Sequence, residues 1–189
     1  YSNAFGLWKS DGTANGTVLV CPYGLYPDNL TTVGNTLFFT ASTESNGREL
    51  WKSDGTANGT VLIKDINTSS ATINFGYYGY YTFALGSYPE DLTAVGNTLF
   101  FTAYTESNGR ELWKSDGTAN GTALVKDIDP RSGTFYGYYT FGYGYGPSNL
   151  TAVGDTLFFV AYTESNGNEL WKSDGTANGT VLVKDINPG

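Results

Sequence analysis

Oxygen-bearing side chains recur in this chain at a spacing that resembles a calcium loop. Asp54, Thr56 and Asn58 stand at positions 1, 3 and 5, Gly59 at 6 and Asp65 at 12, and the spacing returns from Asp116 through Asn120 to Asp127 and from Asp174 through Asn178 to Asp185. Alternate oxygen donors with a glycine at the sharp bend suit a hard divalent cation. Here, however, positions 7 to 11 read as a strand, whose extension carries the twelfth residue away from the loop. A hairpin turn is therefore the leading reading. Calcium held by Asp54, Asn58, Asp116, Asn120, Asp174 and Asn178 is the lesser one, and no other cofactor is expected.

Carboxylates are the second chemistry to weigh. Glu44 and Glu49 recur as Glu106 and Glu111 and as Glu164 and Glu169. Glycoside hydrolysis needs one special pair flanking one cleft, whereas a pair repeated in every unit reads as charge pairing at hairpin ends. The chain has no histidine and one cysteine. That composition excludes histidine-based triads, cysteine-built metal sites and an internal disulfide. Cys21 stands where the other copies have Lys64, Lys126 and Lys184, and reads as a substitution at a strand end, with an intermolecular disulfide or a reactive thiol as the alternative. No catalytic residue is assigned, and the chain is expected not to be an enzyme. Seven Asn-x-Ser/Thr sequons, at Asn15, Asn29, Asn58, Asn67, Asn120, Asn149 and Asn178, could accept glycan in a secretory setting. Four of them belong to one repeated Asn-Gly-Thr, where asparagine is already explained by its tolerance of turn conformations.

The elements that carry these residues are found from the tryptophans. Trp8, Trp51, Trp113 and Trp171 each open the run WKSDGTANGT, at spacings of 43, 62 and 58 residues, which marks a repeat architecture. In each copy a short strand ending in Leu-Trp enters a loop that holds Asp-Gly and Asn-Gly, the pairs that favour chain reversal, and a second apolar strand leaves it. Two further strands precede this hairpin in the complete copies, so each full unit reads as a four-stranded antiparallel meander. The array divides into a half unit with connector at 1–27 and full units at 28–91, 92–149 and 150–189. The first two full units include long connectors. In the half unit Phe5-Gly6-Leu7-Trp8 replaces Arg-Glu-Leu-Trp, so the charged pair is missing there.

The long connectors share YGYYTF, at Tyr78 to Phe83 and Tyr136 to Phe141. Tyrosine supplies contact area at low entropic cost, and glycine lets rings approach one another. Tyr77, Tyr78, Tyr80, Tyr81, Tyr136, Tyr138, Tyr139, Tyr143 and Tyr145 are accordingly expected to form an ordered interaction surface, with a mobile low-complexity loop as the alternative.

Apolar residues occupy both faces of the strands. Leu99, Phe101 and Ala103 line one face while Phe100, Thr102 and Tyr104 line the other, and adjacent Leu and Trp must point opposite ways. A sandwich with one wetted face would alternate more cleanly. Short strands covered on both sides suit radially stacked β-propeller-like blades. Trp51, Trp113 and Trp171 are expected in the core between sheets, and Trp8, at an end, to be less covered. Two strands in the half unit and four in each full unit make about three and a half blades. Such a ring is not closed on its own, and a β-solenoid is the alternative. The scarcity of 3.6-residue apolar periodicity predicts an all-β chain with almost no helix.

The run ELWKSDGTANGT resembles the bacterial ELWxxDGT repeat of secreted and surface proteins. Glu111, Leu112, Trp113, Asp116, Gly117 and Thr118 match it letter for letter, as do Glu49 to Thr56 and Glu169 to Thr176 at the corresponding positions; the first copy departs at Gly6. The resemblance covers nearly everything except the tyrosine-rich connectors and implies propeller-like blades and an extracellular or cell-surface location.

A formal charge of −8, with lysines recurring singly, lacks the basic stripe of a nucleic-acid binder. No apolar run approaches the roughly 20 residues that would cross a bilayer as a helix, and no membrane insertion is expected. The chain begins at Tyr1 and contains no methionine, which reads as a processed or excerpted piece of a longer polypeptide. Together these features predict a non-enzymatic extracellular structural or adhesive repeat protein within a larger surface or filament assembly. Its partners would be identical copies or further repeats of the same polypeptide. The alternative is a carbohydrate-binding, lectin-like module whose connector tyrosines stack on glycans.

Overall fold

In the computed structural model, which describes residues 6–21, 24–130, 146–186 and 188, the chain is all-β and falls into two compact units, Tyr1–Tyr88 and Pro89–Gly189. The break after Tyr88 lies inside the stretch counted with the first full unit. The first unit opens with the hairpin β1 (Leu7–Lys9) and β2 (Val18–Cys21). A meander follows, of β3 (Asp28–Val33), β4 (Thr36–Thr43), β5 (Gly47–Ser53) and β6 (Val61–Lys64), hydrogen-bonded in chain order. The unit ends with a separate hairpin, β7 (Ser70–Asn74) and β8 (Tyr80–Ala84), bridged by a 3-10 turn at Gly76–Tyr78.

The second unit holds two further meanders. One comprises β9 (Glu90–Val95), β10 (Thr98–Thr105), β11 (Gly109–Ser115) and β12 (Ala123–Lys126). The other comprises β13 (Ser148–Val153), β14 (Thr156–Thr163), β15 (Gly167–Ser173) and β16 (Val181–Lys184). Five antiparallel sheets result among the described residues, none of them closed. The 3-10 turn is the one helical element among those residues. Strand β7 and its partner bring the strands to sixteen among the described residues, against the expected fourteen, because the first tyrosine connector folds as a hairpin of its own.

Register repeats from meander to meander. Phe39 faces Trp51, Phe101 faces Trp113 and Phe159 faces Trp171 across the two central strands. The first strand of each meander carries a bulge whose extra residue sits in the left-handed region, at Asn29 (φ 53°), Asp91 (φ 55°) and Asn149 (φ 56°). Asparagine and aspartate tolerate that conformation better than other side chains with a Cβ, which explains the residue type at two of the sequons.

The sheets stack face to face inside each unit. In the first, Leu7, Val20 and Leu25 pack against Phe39 and Ala41, with Cys21, Leu37 and Trp51 beside them. In the second, Val95, Phe100, Leu112, Val125 and Ile128 meet Leu157, Phe159, Ala161 and Trp171. Phe39, Phe101 and Phe159 are fully buried, each contributing about 1.5–3 kcal/mol of apolar transfer. Trp113 and Trp171 are buried, Trp51 is partly buried, and Trp8 is 48% exposed.

Candidate functional site

The repeated loop closes on itself through hydroxyls. Ser53 Oγ accepts from the Gly55 N–H (3.0 Å) and pairs with Thr60 Oγ1 (2.8 Å). Asp54 Oδ1 accepts from the N–H (2.9 Å) and hydroxyl (2.7 Å) of Thr56. Thr56 Oγ1 then accepts from the Gly59 N–H, and Thr60 Oγ1 donates to the Thr56 carbonyl. The same bonds recur around Asp116 and Asp174. The hydrogen bonds from Thr56 and Thr176 hold the carboxyls of Asp54 and Asp174 below the usual carboxylate range. A Cβ on Gly59 would lie 2.0 Å from Asp54 Oδ1, so the second glycine of the loop is fixed by the aspartate above it.

The calcium spacing does not converge on one point. The twelfth residue, Asp65, Asp127 or Asp185, accepts through Oδ2 from Asn46, Asn108 or Asn166 of the adjoining hairpin turn. Asn58, Asn120 and Asn178 face solvent. Among the described residues no three acidic, histidine or cysteine side chains are grouped to hold a metal.

The glutamates before each Leu-Trp overturn the reading of hairpin-end charge pairs. Glu49 is fully buried. Its Oε1 accepts from the backbone N–H groups of Asn67 (3.2 Å) and Ser87 (2.9 Å), while Oε2 accepts from the Ser87 hydroxyl. Burial pushes its pKa to about 7. Glu111, 1% exposed, likewise accepts from the N–H groups of Ile128 and Asp129, and burial raises its pKa to about 8. The arginines beside them pair elsewhere, Arg48 with Asp28 (3.0 Å) and Arg110 with Glu90 (3.3 Å). Glu44, Glu106 and Glu164 stay exposed on the turns. The first two presumed pairs thus divide into a solvated acid and a buried backbone anchor, and Glu169 is buried as well. At the Gly6 position a Cβ would fall 2.6 Å from the Cys21 carbonyl, which excludes any such anchor in the half unit.

Asn67 and Ser87 are the entry and exit of the hairpin β7/β8, so Glu49 clamps both of its ends. Gly86 packs so closely on Arg48 that a Cβ would lie 2.2 Å from the Arg48 nitrogen. Beyond this foot the hairpin is exposed: Tyr77 99%, Tyr78 91%, Tyr80 76% and Tyr81 56%. Tyr77 meets Tyr78 edge-on and Tyr81 stacks on Phe83, each with centroids 6.0 Å apart. No residue from Ile66 to Pro89 is charged. Tyr136, Tyr138, Tyr139, Tyr143 and Tyr145 lie outside the described residues.

The sequons separate by environment. Asn15, Asn29, Asn58, Asn120, Asn149 and Asn178 are exposed. Asn67 is 3% exposed and its amide donates to the Gly86 carbonyl, which leaves no room for a glycan in the folded chain. Cys21 is partly buried at the end of β2, and burial pushes its thiol pKa up. A cleft of about 300 Å³ beside Trp8 includes Lys9, Asn35 and Asp54 in its wall. Lys9 there donates to the Gly55 carbonyl (2.8 Å). The same lysine in the second unit, Lys114, donates to the Gly175 carbonyl of the next sheet (2.8 Å), and Lys126 to that of Thr180 (2.8 Å). Sequence reasoning missed these sheet-to-sheet donors; the signal was one lysine at a fixed place in every repeat.

No helix among the described residues is long and apolar enough to cross a membrane. No protein-family model matches the chain, and no curated protein matches it.

Proposed function

We propose that this chain is a non-enzymatic structural or adhesive module, built from propeller-like blades, within a larger extracellular or cell-surface assembly such as a filament. The observation that carries the reading is the uncharged hairpin β7/β8. Its four tyrosines stand more than half exposed while both of its ends are fastened to the buried Glu49. Rigid aromatic rings on an anchored support contact a partner with little ordering cost. The polar side chains of the repeated loop are largely occupied by its own hydrogen bonds, which leaves them an architectural role. The resemblance of ELWKSDGTANGT to repeats of secreted and surface proteins supports the location.

Replacing Tyr77, Tyr78, Tyr80 and Tyr81 together by serine is the direct test. Retention of the chain on a hydrophobic or cellular surface, and its self-association, should fall while thermal stability is kept. Unchanged retention and association would remove the adhesive role. The second reading is glycan binding, favoured by Tyr77 and Tyr78 presenting their rings edge-on to one another at a hairpin tip. Reproducible glycan-array binding that is lost in the same variant would favour it over self-association.

A further inference from the structure

We infer that the outer face of the last sheet, β13 to β16, is an open stacking face that receives the β1/β2 hairpin of a second copy of this chain, head to tail. This rests on the assembly reading above and names its contact.

The occupied form of the contact is present inside the second unit. There Val95, Leu112, Val125 and Ile128 form an apolar face, and Trp171 packs on it with its cross-strand neighbour Leu182 alongside. Two lysines complete the join: Lys114 donates to the Gly175 carbonyl, and Lys126 donates to the Thr180 carbonyl while its ammonium lies 5.7 Å from the Trp171 ring centroid. A tryptophan with a cation over its face is the kind of anchor that dominates interfaces.

The last sheet repeats the receiving face without an occupant. Val153, Leu170, Val183 and Ile186 correspond to Val95, Leu112, Val125 and Ile128, yet they are 59%, 37%, 45% and 68% exposed where their counterparts are 9%, 0%, 6% and 8%. In β15 burial alternates strictly residue by residue, whereas β11 is buried across both faces around Leu112 and Trp113. The side-chain ammonium groups of Lys172 and Lys184, the counterparts of Lys114 and Lys126, make no hydrogen bond among the described residues.

The matching plug stands at the other end of the chain. Residues 8–20, WKSDGTANGTVLV, are identical to residues 171–183. Trp8 pairs across the hairpin with Leu19, as Trp171 does with Leu182. Leu7 is turned into the first unit's own core, so its neighbour Trp8 points to the opposite side, 48% exposed against 8% for Trp171. A face and a plug at different places on one molecule make a heterologous contact, which propagates into chains unless it closes. In that contact Lys172 and Lys184 would meet the carbonyls of Gly12 and Thr17.

Sedimentation velocity on the full chain, with Trp8→Ala and Val183→Glu, tests the contact. The wild-type chain should form concentration-dependent oligomers. Each variant alone should dissociate on the order of 30-fold more readily, the effect of losing one interface anchor. Mixed together they should form dimers and nothing longer, since Trp8→Ala keeps the face and Val183→Glu keeps the plug; that complementation also shows both variants to be folded. Oligomers that survive both substitutions but disappear in the four-tyrosine variant would overturn this contact and leave the assembly reading standing. A wild-type chain that stays monomeric at every concentration would overturn both.

Discussion

Replacing Glu49 by glutamine should make the first unit more stable at and above neutral pH, and the reason lies in the sign of its titration. In the folded chain burial raises the Glu49 pKa from 4.5 to about 7. A carboxyl with a raised folded pKa lends stability that is fully present below pH 4.5 and is lost as the pH rises through about 7, because the unfolded chain ionises first. A shift of this size corresponds to about 3 kcal/mol lost across that window. In the glutamine variant Oε1 still accepts from the Asn67 and Ser87 N–H groups, and the new amide donates to the Ser87 hydroxyl in place of accepting from it. The clamp on β7/β8 is kept while the ionisation is removed. Urea unfolding between pH 4.5 and 8, followed by tryptophan fluorescence, should show a falling stability for the wild type and a flatter profile for Glu49→Gln, with Glu44→Gln as an exposed control that behaves like the wild type. A Glu49→Gln profile parallel to the wild type, or lower throughout, would refute the reasoning, since it would mean that the carboxylate is ionised in the fold and required there.

Gly59→Ala places a methyl within 2.0 Å of the Asp54 carboxyl and should cost roughly 2 kcal/mol by opening the loop; calorimetry should show a lowered melting temperature, and no change would mean that the loop yields freely. Trp113→Ala should cost about 3–5 kcal/mol, as large aromatic deletions from packed interiors do, and Trp8→Ala clearly less in the dissociated chain. Equal losses at the two sites, measured by denaturant unfolding, would contradict the difference in their burial.

The strand order of every meander was legible in the sequence because the information is local. Asp-Gly and Asn-Gly mark each reversal, and apolar residues on both sides of Leu-Trp announce sheets that stack. The hairpin β7/β8 was not legible as strands: Ser70 to Asn74 alternates polar and apolar residues but offers only Ala71 and Ile73 as apolar ones, and its support comes from Glu49, distant in sequence. The role of Glu49 was missed for a related reason. A glutamate next to an arginine on a short strand suggests a surface ion pair, and only the fold shows where the two opposite faces lead, Arg48 towards Asp28 and Glu49 inward onto two backbone N–H groups. Composition could exclude histidine chemistry, but it could not indicate that the twelfth residue of the calcium spacing is held by an asparagine on another turn.

Identical segments nevertheless acquire different surroundings, and the reason separates folding from association. The loop from Ser53 to Thr60 satisfies its Ser, Asp and Thr side chains within eight residues, and the loop from Ser173 to Thr180 does the same with nearly identical distances. Its conformation therefore does not depend on what packs against the strands it joins. Burial does depend on it: Leu112 is fully covered and Leu170 is 37% exposed, although both precede the same Trp-Lys-Ser-Asp-Gly-Thr. A repeat whose hairpin forms locally can present an uncovered apolar face without losing its shape, and each added sheet then gains most of its stability from its neighbours. The lysines make that neighbour contact directional, since each of Lys9 and Lys114 reaches forward to the glycine carbonyl of the next copy's loop. Stacking of this kind favours growth with one polarity, from the tryptophan of one sheet onto the leucine face of the sheet before it.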